Sequence, residues 1–210
     1  MGMTKFDTNQ SSYAVQSAPG RQAAKSAEMR RRIYEGATRV LAETGYHNTS
    51  INRVVKACAI TPGALQHHFP AKLDLMASTA EFLLSRSVRW FAQIKHELSR
   101  GPEGLREALF RSWREQFRTA EYAALLEILF AARTDLPLKE RITPALEDWR
   151  TGIERELAAL YPDDAPRAEV EVGLTISRAL MTGLLVHDGL IGDETRMDDV
   201  LAAWNRIVTR

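Results

Sequence analysis

Cysteine is almost missing from this chain. Cys58 is the only one in 210 residues, so no disulfide can form within the chain, which fits a reducing compartment. Metal-ligand spacing is missing too: His67 and His68 are adjacent, and neighbouring helical residues point about 100° apart. No Cys or carboxylate stands near them at ligand spacing, so neither a metal nor a cofactor is expected. There is no nucleophile–base motif, phosphate-cradling loop or pair of catalytic carboxylates, and these absences weigh against a helical enzyme. No segment approaches the roughly 18 uninterrupted apolar residues of a membrane span. Residues 1–25 are rich in Ser, Gln, Ala and Gly and lack an apolar run; they are expected to form a mobile tail rather than a signal peptide. Strand alternation and internal repeats are likewise absent. A soluble, cytoplasmic, all-α protein follows, with 45% hydrophobic content, enough for one large core or two connected ones.

What is present begins at residues 45–75, GYHNTSINRVVKACAITPGALQHHFPAKLDL. The stretch predicts two short helices joined by a tight turn. Thr49 or Ser50 can cap the first by accepting from its free backbone N–H groups. Ile51, Val54, Val55 and Cys58 recur at helical spacing and give it one buried face, which makes Cys58 a poor redox sensor. Thr61 caps the second helix, and Pro62 fits its first position, where a missing N–H costs nothing. Leu65 and Phe69 point inward, leaving Thr61, Pro62, Ala64, Gln66 and His67 directed elsewhere. Small and short polar residues at a helix start allow close approach to phosphates, aided by the helix dipole. Charge points the same way. Residues 1–72 hold ten Lys and Arg against four acids, a net of +6, in a chain of net +1. Residues 73–210 are therefore at −5, so a basic head precedes an acidic body. An ordinary helical hairpin with a solvated charge run is the competing reading.

These residues resemble the amino-terminal signature of the TetR family of one-component regulators. Gly45 and Tyr46 match its Gly-aromatic step, and Thr49, Ser50 and Ile51 match its Thr-Thr-aliphatic opening of helix 2. Gly63, Leu65, His68, Phe69, Lys72 and Leu75 match its Gly-x-Leu-Tyr-x-His-Phe-x-x-Lys run and the leucine after it. The match covers roughly residues 28–76 without a gap. Ala59 replaces the family's turn glycine, acceptable if its φ stays negative. Gln66 replaces an aromatic that contacts the DNA backbone, and a glutamine can also pair with adenine. The resemblance implies a helix-turn-helix DNA-binding domain at 26–72, with Thr49, Ser50, Thr61, Pro62, Gly63, Ala64, Gln66, His67, His68 and Lys72 facing double-stranded operator DNA. It also implies an effector-binding and dimerisation domain at 73–210.

Helical periodicity continues through that body. Met76, Ala80, Leu83, Ser87, Phe91, Ile94 and Leu98 mark one long face, and Leu105, Leu109, Trp113 and Phe117 a second. The head–body boundary is expected near residue 72, inside continuous helix, so that the helix over 72–98 acts as a lever. The resemblance implies that the last two helices pair with their symmetry mates in a homodimer, through Leu174, Met181, Leu184, Leu185, Met197, Val200, Leu201 and Trp204. Packing inside one monomer explains these stripes equally well. It further implies an effector cavity bordered by Trp90, Phe91, Trp113, Phe117, Phe130, Trp149, Met181 and His187, although each is also ordinary core material. Aromatic walls with few polar groups suit a small, largely apolar molecule. His187 beside Asp188 can orient a polar ligand group or cap the helix before Gly189, and Gly152 is expected to share Trp149's surroundings. A dimeric repressor released by that ligand is the expected function; a helical enzyme or small-molecule-binding protein using the same cavity is the alternative.

Overall fold

The computed structural model describes residues 20–187, 190–192 and 194–208. Among them the chain forms α1 (Arg21–Asn48), α2 (Ile51–Cys58), α3 (Pro62–His68), α4 (Lys72–Leu98) and α5 (Gly101–Ser112). A π-helical turn (Trp113–Phe117) leads to α6 (Ala120–Ala132), α7 (Leu136–Leu160), α8 (Asp164–His187) and α9 (Glu194–Val208). The fold is all-α, with a three-helix head and a larger helical body. Of the expected tail, residues 1–19 lie outside the described residues, and Arg21–Lys25 already form the first turns of α1. Their Arg, Gln, Ala and Lys side chains are good helix formers, a propensity that the Ser-rich composition of the preceding segment masked.

Local chemistry sets the boundaries. Ser50, Thr61, Thr119 and Asp135 each accept a hydrogen bond from the third residue beyond them, opening α2, α3, α6 and α7. Gly45 breaks the regular run of α1 at φ 76°, a conformation glycine adopts without the Cβ penalty. The turn after α2 corrects the expectation for Ala59: its φ is 49° and its ψ 51°, in the left-handed region. The geometry is the αL cap that ends many helices, held here on an alanine.

One core runs through head and body. Ile33, Val40, Leu41, Val54, Leu65 and Phe69 of the head are continuous with Leu75, Met76 and Ala80 of α4, Ile128 of α6 and Ile142 of α7. In the head, α1 and α2 approach so closely that a Cβ on Gly36 would lie 2.1 Å from the Cys58 sulfur. α1 also packs along α6, and α4 along α7. Here Lys95 of α4 meets Glu156 of α7 at 2.5 Å. A second core at the far end joins Leu109, Trp113 and Phe117 to Met181, Leu184, Met197 and Leu201.

That second core takes up, inside the monomer, part of the stripe expected at the dimer contact. Met181, Leu184, Met197 and Leu201 are buried within their own monomer, and Trp204 donates from Nε1 to Ser177 Oγ at 2.8 Å. Leu185, Val200 and Trp204 pack against the same core. Leu174 lines the cavity in the body. The outward side of α8 is instead Val172 and Ile176, with Ile207 exposed on α9; Val186, also exposed, borders the cavity. By length and composition, Pro166–His187 is apolar enough to cross a membrane, a property that arises because α8 carries apolar stripes on both sides.

Candidate DNA interface and effector cavity

The helix-turn-helix presents a short, mostly exposed reading helix. Thr61, Pro62, Gly63, Gln66 and His67 of its cap and first turns are exposed, Ala64 and His68 are half-buried, and Leu65 and Phe69 anchor it in the core. Burial, aided by the neighbouring charge of His67, lowers the pKa of His68. Ser50 is exposed as the α2 cap. Thr49 is not available to DNA: its side chain is 1% exposed and its hydroxyl donates to the Gly45 carbonyl at 2.8 Å. The pair of hydroxyls that looked interchangeable thus divides into an inward tie and an outward cap.

Lys72 is more constrained than a free phosphate ligand. Its ammonium donates to the Tyr46 carbonyl at 2.9 Å and lies 4.5 Å from the Tyr46 ring centre. Burial lowers its pKa. Two further N–H bonds of the ammonium remain for another acceptor. Other cations of the basic head are also engaged. Arg31 pairs with Glu28 and Glu35, while Arg32 and Arg39 donate to the Ala59 and Ala57 carbonyls at the end of α2. Arg53 and Lys56 lie on the exposed face of α2. They were counted in the head's charge, but their spacing alone did not single them out.

The head is tied to the body at Tyr46. Glu127 of α6 accepts from the Tyr46 backbone N–H at 2.8 Å, just beyond the Gly45 break. Neighbours of Glu127 on the same helix, Leu126, Leu129 and Phe130, face a cavity on the other side. No sequence motif marks Glu127; its role follows from the packing of α1 on α6.

The cavity measures about 920 Å³ and lies among α4, α5, the π-helical turn, α6, α7 and α8. Trp90, Phe91, Phe117, Phe130, Trp149 and Met181 line it as expected. Trp113 does not; it is 2% exposed and packs in the second core behind the wall. His187 also lies outside the lining, exposed at the end of α8, and Asp188 and Gly189 fall outside the described residues. Gly152 faces α4 rather than the cavity: a Cβ there would sit 3.1 Å from both γ-carbons of Val88. The polar lining carries no mark of bulk in the sequence. It includes Gln116, Tyr122, Arg178 and Thr182. The Tyr122 and Thr182 hydroxyl oxygens are 2.6 Å apart, and burial raises the Tyr122 pKa. Among the described residues no cluster of His, Cys, Asp and Glu is arranged to hold a metal.

Comparison with known proteins decides the family. The model described as "Bacterial regulatory proteins, tetR family" matches residues 33–79. The HTH-type transcriptional regulator CymR of Pseudomonas putida is 30% identical over 184 residues, covering 85% of this chain and 88% of that protein. The chain belongs to the TetR family. It is a transcriptional regulator with a helix-turn-helix, not an enzyme. Solved structures share the fold at lower identity. The fatty acid degradation regulator FadR from Bacillus halodurans matches at 15% identity and a TM-score of 0.61, over 85% of this chain and 97% of that one. A transcriptional regulator from Saccharomonospora viridis in complex with choline matches at 24% and 0.57, over 87% and 96%. In this TetR-family chain the head therefore supplies the DNA-reading end, and the cavity lies in the body that follows it.

Proposed function

We propose that this TetR-family regulator is a dimeric repressor, released from its operator by a small, largely apolar ligand bound in the body cavity. The observation that carries the reading is the double role of α6: one side lines the cavity and the other holds the head through Glu127 and Tyr46. A ligand that prefers one position of α6 would redistribute the protein between two placements of the head, provided its affinity differs between them. The choline bound by the Saccharomonospora viridis protein supports a small-molecule ligand in a body of this kind, without naming the ligand here.

The head–body boundary belongs at Lys72, where α4 begins, with α4 and α6 together carrying the displacement. Gln66 and His67 are the side chains assigned to base edges, with Ser50, Arg53, Lys56 and Lys72 assigned to phosphates. A homodimer formed on the outward stripe of α8 and on Ile207 of α9 would present two reading helices about 34–36 Å apart. The same pairing accounts for the apolar composition of α8 without a bilayer, and a cytoplasmic location follows from a DNA target.

The test is retardation of a DNA fragment from the region upstream of this protein's own gene, with light scattering on the free protein. Salt-sensitive, sequence-selective binding by a dimer is expected. Absence of retardation across such fragments, or binding by a monomer at a single half-site, would overturn the reading.

A further inference from the structure

Arg178 breaks the apolar character of the cavity. It lies on α8 in the cavity wall, and its guanidinium sits 4.7 Å from the ring centre of Trp149 on α7. Stacking of this kind fixes the plane of the cation while leaving its edge N–H donors open. Among the described residues no carboxylate forms an ion pair with Arg178, whereas Arg150 on the same cavity wall is paired with Glu154 at 3.0 Å. Glu171 shares the wall but precedes Arg178 by seven residues on the same helix, about 10 Å along its axis. A half-buried guanidinium with open donors beside an apolar space is incompletely solvated, and an ionised oxygen pair is its best-matched partner.

The region beside it is polar and fixed in place. Thr182, one turn further along α8, donates to the Arg178 carbonyl at 2.8 Å. Its single hydroxyl hydrogen is thereby used, so Tyr122 of α6 is the donor in their 2.6 Å contact. That chain of hydrogen bonds ties α8 to α6 next to the guanidinium.

We propose that the cavity takes an amphipathic anion, an alkyl or aryl carboxylate whose hydrocarbon body fills the apolar space and whose carboxylate is held by Arg178. The proposal rests on the effector reading above and narrows it to one ligand class. A bound carboxylate would bridge to α8 at the point where α8 is already tied to α6, the helix that holds the head.

The test uses the full chain and three probes with the same hydrocarbon tail: octanoate, 1-octanol and octyltrimethylammonium. Trp90 and Trp149 line the cavity, so intrinsic fluorescence reports occupancy. Octanoate is expected to bind about tenfold or more tighter than octanol, the gain typical of a charge-assisted hydrogen bond. Arg178→Gln should remove that preference by weakening octanoate far more than octanol, and a thermal melt checks that the variant folds. Equal binding of octanoate and octanol, or tightest binding of the ammonium, overturns the anion proposal and leaves the cavity reading intact. So does an Arg178→Gln variant that keeps the full preference. If none of the three binds, the effector reading falls as well. The wild-type comparison decides the matter even if the variant fails to fold.

Discussion

Ala59 holds the turn between α2 and α3 with a left-handed backbone, where a Cβ costs about 1–2 kcal/mol. Its side chain is exposed, so little packing offsets that cost. Ala59→Gly should therefore stabilise the protein by about 1 kcal/mol, after allowing for glycine's greater freedom when unfolded. Urea denaturation measures it, and a loss of stability would show that the methyl group makes contacts worth more than the strain. The sequence identified the turn but not its cost, because an alanine code letter carries no φ. Lys72 teaches a related lesson. Its place in the family pattern was legible, yet its bond to the Tyr46 carbonyl depends on a chain reversal 26 residues away. Lys72→Ala should destabilise the fold by about 1–3 kcal/mol, as loss of a charged hydrogen bond does. It should also lower the salt slope of DNA binding by about one unit if the ammonium reaches a phosphate. A stability loss with an unchanged slope would confine Lys72 to the internal tie.

At the scale of elements, α8 shows why a hydrophobic stripe is ambiguous. Leu174, Ser177, Met181 and Leu184 run along one side, and Val172, Ile176, Ala179, Gly183 and Val186 along another at the same helical spacing. Either set can be read as the interface from letters alone. The structure turns Met181 and Leu184 onto Trp113 and Phe117, because α5 and the π-helical turn supply large side chains on that side. Helix existence and caps were legible in the same stretch of text, since Thr61 with Pro62, or Asp135 before Pro137, act within one turn. The cavity wall was half legible for a physical reason: bulky residues announce themselves, but whether Trp113 faces a void or fills one depends on the opposing helix. On α6 the decisive residue is Glu127. Glu127→Ala leaves the Tyr46 N–H without its acceptor and should cost about 1–3 kcal/mol. It should also shrink the ligand-induced change in operator affinity several-fold, as the coupling route proposed here requires. Glu127→Gln, which can still accept, should keep most of both; an Ala variant with undiminished ligand response would route the coupling elsewhere.

At the scale of the molecule, assembly and cooperativity dominate. Ile176 is 45% exposed in the monomer, so Ile176→Asp should fold normally. Across a two-fold contact the new carboxylates would be buried in symmetry-related pairs, a cost of about 3–5 kcal/mol for an unpaired buried charge. Light scattering should then show monomers, and a persistent dimer would move the interface off this stripe. A charge at Trp204 is the poorer test, because that side chain is bonded inside its own subunit and its loss would confound assembly with folding.

The core shared by head and body has a further consequence, for the lifetime of the protein. Since Ile33, Leu41 and Leu65 belong to the same packed cluster as Leu75, Ile128 and Ile142, the DNA-reading end is expected to unfold together with the body. A ligand at a hundredfold excess over its Kd adds about 2.7 kcal/mol to the stability of whatever unfolds with its site. Here that includes the head. The effector proposed above should therefore slow amide exchange in α2 and α3 and protect them from proteases. Faster exchange in those helices on ligand binding would contradict it. In the proposed cycle the ligand-bound regulator off its operator is a sturdier molecule than the same protein with neither ligand nor DNA.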